Sequence, residues 1–76
     1  MDDTLTSMDY FQVDILSAGQ LEVDDLIRYE DDVVSIVSII SLPDGYTIEV
    51  VNDFGERFEI DAEEYQQFPL MMLGDL

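Results

Sequence analysis

Cysteine, histidine, lysine and tryptophan are all absent from this chain of 76 residues, and only Arg28 and Arg57 carry positive charge. Without cysteine no disulfide can staple the fold, which fits a reducing compartment. Without cysteine, histidine or lysine the usual thiol, imidazole and amine catalysts are missing, and no basic side chain is at hand to activate a serine. A pair of carboxylates could still act as in glycoside hydrolysis. A chain this short has little room for a cleft that buries such a pair. The expectation is a protein that is not an enzyme and needs no cofactor.

The missing cations also exclude partners. Two arginines cannot neutralise a phosphate track, so direct binding to DNA or RNA is not expected. An anionic membrane surface would repel the chain. The longest apolar run, Val33 to Leu42, is short of a membrane span and is broken by Ser35, Ser38 and Ser41. Met1-Asp2-Asp3-Thr4 is acidic where a secretory leader is basic. These features together point to the cytoplasm.

What the chain has is acid. Nineteen Asp and Glu bring the net charge to −17. Acidic disordered tails reach such charge but lack apolar residues; here 47% of residues are hydrophobic and fall in regular runs. The reading is one folded core inside an acidic shell, with residues 1–8 a loose N-terminus and 9–74 a single domain. Self-repulsion in that shell opposes compaction. Salt relieves it, since the Debye length falls from about 10 Å at 0.1 M to about 3 Å at 1 M. The thermal midpoint should therefore rise with NaCl in a circular-dichroism melt; a flat or falling midpoint would contradict the self-repulsion argument.

Periodicity of two dominates the chain. Phe11, Val13 and Ile15 alternate with Gln12 and Asp14, which predicts a strand. Leu26 to Tyr29 enters a second, and Glu30-Asp31-Asp32 makes a compact acidic hairpin turn. Val33 to Leu42 is rich in β-branched residues, which suit a pleated sheet. Its serines, spaced by three, would also suit a helix. Its imperfect alternation predicts a bulge or a strong bend. Pro43-Asp44-Gly45 turns the chain, Tyr46 to Val51 is a third long strand, Asn52 to Gly55 is a turn, and Arg57 to Ile60 is a fourth. Asp61-Ala62-Glu63-Glu64 has capping-box spacing, which predicts one helical turn before Pro69. Leu70 to Leu73 reads as a short last strand.

A meander, a helical turn and a closing strand resemble the small SH3-like barrels over roughly Leu21 to Leu73. Leu21-Glu22-Val23-Asp24-Asp25-Leu26-Ile27 is similar to the leucine–x–valine–glycine–aspartate opening of many such barrels, with Asp24 where glycine is usual. Pro43-Asp44-Gly45 and Asp53-Phe54-Gly55-Glu56 fall at hairpin positions. The resemblance implies a mainly β fold, a five- to six-stranded antiparallel barrel with one short helical turn before the last strand. It says little about function.

The remaining candidates concern binding. Asp24-Asp25 and Glu30-Asp31-Asp32 could cluster, but no EF-hand ladder is present, so solvated acidic loops are expected rather than a metal site. Arg28 and Arg57 are expected to pair with carboxylates across strands. The aromatic residues Tyr10, Phe11, Tyr29, Tyr46, Phe58, Tyr65 and Phe68 are expected mostly in the core. Phe54, within a turn, is either folded back or available to a partner. Leu70-Met71-Met72-Leu73 exceeds what closing a barrel would bury, and the surplus suits a homodimer contact or an adaptable methionine surface.

In size and charge the chain is similar to small phage-encoded inhibitors of host DNA-binding enzymes, among them inhibitors of uracil-DNA glycosylase and of restriction enzymes and some anti-CRISPR proteins. That resemblance implies a nucleic-acid mimic acting in a host cytoplasm. Its partner would be a basic nucleic-acid-binding protein, contacted by Asp24, Asp25, Glu30, Asp31, Asp32, Glu49, Asp53, Glu56, Glu59, Glu63 and Glu64. An SH3-like adaptor that binds through Phe54 and Met71-Met72 is the alternative, with acid serving solubility. An acidic proteome would produce the same composition.

Overall fold

The computed structural model describes residues 10–74, so the expected loose segment 1–8 lies outside the described residues. Six strands form one antiparallel sheet: β1 (Tyr10–Ser17), β2 (Leu26–Tyr29), β3 (Asp32–Leu42), β4 (Gly45–Val51), β5 (Arg57–Ala62) and β6 (Gln67–Leu73). Their order is β1-β6-β2-β3-β4-β5. Consecutive strands from β2 to β5 are joined by short hairpins. β6 then returns beside β2, and β1 lies outside β6. The sheet does not close, leaving β1 and β5 as its two edges.

Alternation places the core. Ile27, Val34, Ile36, Ile48, Val50, Ile60 and Phe68 are buried on one face, joined by Ala18, Leu21 and Ala62. Rungs stack them directly: Ile27 faces Val34, Ile36 faces Val50, and Ile48 lies between Ile39 and Ile60. Tyr29 and Phe58 close one side, their rings 6.0 Å apart and tilted. Among the described residues no polar or charged side chain is buried.

The broken alternation in β3 has a physical counterpart. Its register against β4 shifts between Ile36 and Ser38. The extra residue, Val37, lets Ile36 and Ile39 both reach the core side, because a bulge resets which face a strand presents. β6 is longer than its apolar run because Gln67 to Pro69 pair with β1. The β6–β2 ladder begins only at Leu70. Proline has no N–H to donate, so Pro69 sits where the ladder toward β2 has stopped.

The helical turn is elsewhere than expected. It is a short 3₁₀ helix, Ala18–Gln20, where the Gln20 side chain accepts the Ser17 N–H at 3.0 Å. Asp61 and Ala62 instead complete β5, on rungs with Thr47 and Tyr46. The chain then reverses in a single turn closed by Gln66 N–H to the Glu63 carbonyl at 3.1 Å. Sheet rungs already claim the backbone that the capping-box spacing needed.

Among the described residues, two that are not glycine take positive φ: Asp24 at 79° and Glu30 at 53°. Asp24 therefore stands in a conformation that favours glycine. The bend is held by Asp24 N–H to the Ile36 carbonyl (2.9 Å) and Ile36 N–H to the Asp25 carbonyl (3.0 Å). The Asp25 carboxylate also accepts the Glu22 N–H at 2.9 Å. Asp24→Gly should raise stability by about 0.5–1 kcal/mol, and Asp24→Val should lower it by about 1–2 kcal/mol. Urea titrations of the two variants check this; equal stabilities would mean the bend carries no strain.

Candidate partner-binding surface

Except for Asp24 and Asp25, the candidate acids occupy two ends of the sheet and a row between them. Ser35–Val51 is the last rung of the β3–β4 pair. Beyond it lie both the first residues of β3 and the loop from Asn52 to Glu56. Glu30, Asp31, Asp32, Asp53, Phe54 and Glu56 therefore leave the β3–β4 pair at the same end. Glu30 and Asp31 form the two-residue hairpin loop, with Asp32 paired to Tyr29. At the opposite end are Asp44, Glu63 and Glu64, next to the Leu42–Gly45 and Tyr46–Ala62 rungs.

The row joining the ends is the outer face of the β4–β5 hairpin. Ile48, Val50, Ile60 and Ala62 point inward, so Glu49, Glu59 and Asp61 point outward by alternation. Glu49 and Glu59 lie directly opposite each other, a like-charge rung that costs rather than stabilises. Arg57 offsets part of this, donating to the Glu49 carboxylate at 3.2 Å. Ser38 donates to the other Glu49 oxygen, also at 3.2 Å. Glu49 is thus the most engaged of the candidate acids, whereas Glu59 is exposed. Among the described residues, Arg57–Glu49 is the single ion pair.

Sequence reasoning passed over Asp61 and Asp44. Asp61 continues the Arg57, Glu59 alternation and accepts a hydrogen bond from Thr47 at 3.3 Å; the period of two would have found it. With Asp44, Glu63 and Tyr46 it lines a shallow hollow of about 330 Å³. Among the described residues no three carboxylates converge closely enough to hold a metal ion. Asp24 and Asp25 stand apart, on the bend before β2, and do not join either end cluster by register.

Phe54 is not folded back: it is 84% exposed. Its loop is ordered by one side chain. The Asn52 carboxamide oxygen accepts the N–H groups of Phe54 (2.9 Å) and Glu56 (3.0 Å), while its amide donates to the Glu56 carboxylate at 2.9 Å. The Asp53 carboxylate accepts a long 3.4 Å bond from the Tyr10 hydroxyl. Desolvation, then the charge and hydrogen bond of Asp53, hold that hydroxyl above the ordinary tyrosine pKa.

The other aromatic assignments divide. Phe68 is buried, and Tyr29, Tyr46 and Phe58 pack against the core. Phe11, at 50% exposed, and Tyr65, at 81%, do not. Phe11 lies on an edge strand with a neighbour on one side only, and Tyr65 lies on the turn after β5. No helix of the described chain is long and apolar enough to cross a membrane. In comparisons with known proteins, the chain matches no family model, no curated protein and no solved structure.

Proposed function

We propose that the protein is a non-catalytic nucleic-acid mimic that occupies the basic DNA- or RNA-binding channel of a partner protein. The observation that carries this reading is the outward carboxylate row of the β4–β5 hairpin, continued at its ends by Asp53, Glu56 and Glu63. Successive outward residues on one strand, such as Glu59 and Asp61, are about 6.6 Å apart, and neighbouring strands are about 4.8 Å apart. Such a lattice of charge suits a channel built for phosphates. The opposed Glu49–Glu59 pair favours the same reading, because a stable sheet alone would place opposite charges there. A basic groove would attract this surface at long range. The proposed setting is a cytoplasm, that of a host if the protein is of phage type.

The test is capture on the immobilised protein from a cell lysate. The retained proteins should bind nucleic acid, elute as NaCl rises, and be displaced by excess duplex DNA. Glu59→Lys/Asp61→Lys, and separately lysine at Glu30, Asp31 and Asp32, should each weaken capture by about tenfold or more. Retention that is indifferent to both salt and competing DNA would sink the mimic.

The exposed Phe54 favours a second reading, an SH3-like interaction module; of the Met71-Met72 pair expected to join it, Met72 is exposed but Met71 is buried. The order β6-β2-β3-β4-β5 is a meander whose last strand returns beside its first, which supports the SH3-like arrangement with β1 added outside it. In that case Phe54→Ala should weaken capture more than several acid-to-amide changes together.

A further inference from the structure

Among the described residues β5 pairs with β4 and with no other strand, so one whole side of its backbone is open. The hairpin shows which groups lie on that side. Asn52 N–H donates to the Glu56 carbonyl at 3.0 Å, one rung beyond Val51–Arg57. Hydrogen-bonded and non-bonded rungs alternate along an antiparallel pair. Phe58, Ile60 and Ala62 therefore bond to β4, while Arg57, Glu59 and Asp61 turn their N–H and C=O groups away from it. All three are exposed. At this edge, unpaired backbone groups and carboxylates belong to the same residues, Glu59 and Asp61. The other edge differs. β1 has one acid, Asp14, and its register shifts between Gln12 and Asp14.

We propose that the β5 edge takes a basic, extended segment of a partner protein as an added antiparallel strand. An open edge is a template for a further strand, and charge selects this one. Residues opposite Glu59 and Asp61 would exchange both backbone bonds with them, about 5.5 Å away between Cα atoms and on the face that carries the carboxylates. Lysine or arginine at those alternate positions gives two opposite-charge rungs. A third cation, on the Asp61 side, comes level with the hollow lined by Asp44, Tyr46 and Glu63. Residues between the cations point to the side of half-buried Phe58 and buried Ile60, and apolar ones fit there. Other occupants meet repulsion. A second copy paired edge to edge sets Glu59 and Asp61 against their own counterparts. Residues 1–9 of the chain carry Asp2, Asp3 and Asp9 and no cationic side chain. The acids that guard this edge against copies of the chain admit a basic strand. The partner need not bind nucleic acid, so this contact stands apart from the mimic.

The test uses the isotope-labelled full chain and a capped peptide of about seven residues that alternates valine and lysine. Calorimetry should show binding. Amide exchange at Glu59 and Asp61, fast in the free protein, should slow by about tenfold or more with peptide bound. N-methylation of the peptide separates strand pairing from charge, since it removes a donor and leaves every charge in place. On the lysines, whose N–H groups face the edge, it should weaken binding by about tenfold or more; on the valines, whose N–H groups face water, by less than about threefold. Equal losses from the two, or unchanged exchange at Glu59 and Asp61, overturn the proposal, because the peptide is then held by the acidic surface as a whole. Absence of binding overturns it as well. So do amides that are already slow in the free protein, where a second copy or the chain's own residues hold the edge. Displacement by duplex DNA plays no part in these readouts, so strand addition and the mimic fail separately.

Discussion

Gly45→Ala is expected to destabilise the protein by about 3 kcal/mol, more than half of the stability of a domain this small. Gly45 is buried at the first position of β4. A Cβ there would meet the Ala62 carbonyl oxygen closer than real Cβ atoms approach anything. Neither backbone can yield, because Tyr46 is paired to Ala62 on the next rung. The added methyl must part β4 from β5, in a domain of a size whose total stability is only about 5 kcal/mol. Gly55 gives the contrast. It has open space around it but a φ of +80°, so Gly55→Ala should cost only about 1 kcal/mol through strain. Urea unfolding followed by circular dichroism separates the two. If Gly45→Ala unfolds within about 0.5 kcal/mol of the parent, the error of such a titration, the close approach is not there.

Ile48→Ala should cost about 3–4 kcal/mol. Ile48 is fully buried at the centre of the sheet, between Ile39 on β3 and Ile60 on β5. Removing three of its carbons leaves a void that strands locked on both sides cannot collapse to fill. Ile40→Ala removes the same atoms one rung away, yet Ile40 is 53% exposed, and its loss should stay below about 0.5 kcal/mol. Thermal melts of the two variants would show a gap of well over 10 °C for a domain this small. Equal melting temperatures would mean that the inner and outer faces are exchanged.

Much of this architecture was legible because local chemistry decides it. The Pro43-Asp44-Gly45 turn, the acidic hairpin turn (shorter by Asp32, which opens β3) and the bulge in β3 follow from turn residues and from where alternation breaks. Other features depend on which strand lies next to which. Phe11, Val13 and Ile15 alternate as core strands do, but β1 is an edge and its apolar residues stay half in water. Asp61 to Glu64 carries capping spacing, but rungs to Thr47 and Tyr46 take the first two residues for β5. On the surface, composition made the acid evident. Its division between two ends and a hairpin face, with only Asp14 on β1 and β6, depends on register. Phe54 could be read either way until the Asn52 bonds fixed its loop.

The pairing of β1 with β6 also sets an order of events. β1 is the first of the six strands to be made, yet the strand that covers one of its sides is the last. Until β6 has left the ribosome, Phe11, Val13 and Ile15 have no sheet to join. Such distant pairing is slow to form, and an apolar strand left waiting is a site for aggregation. Here the waiting strand belongs to a chain that repels its own copies at every stage of growth. The acidity that burdens the finished fold thus guards its unfinished forms.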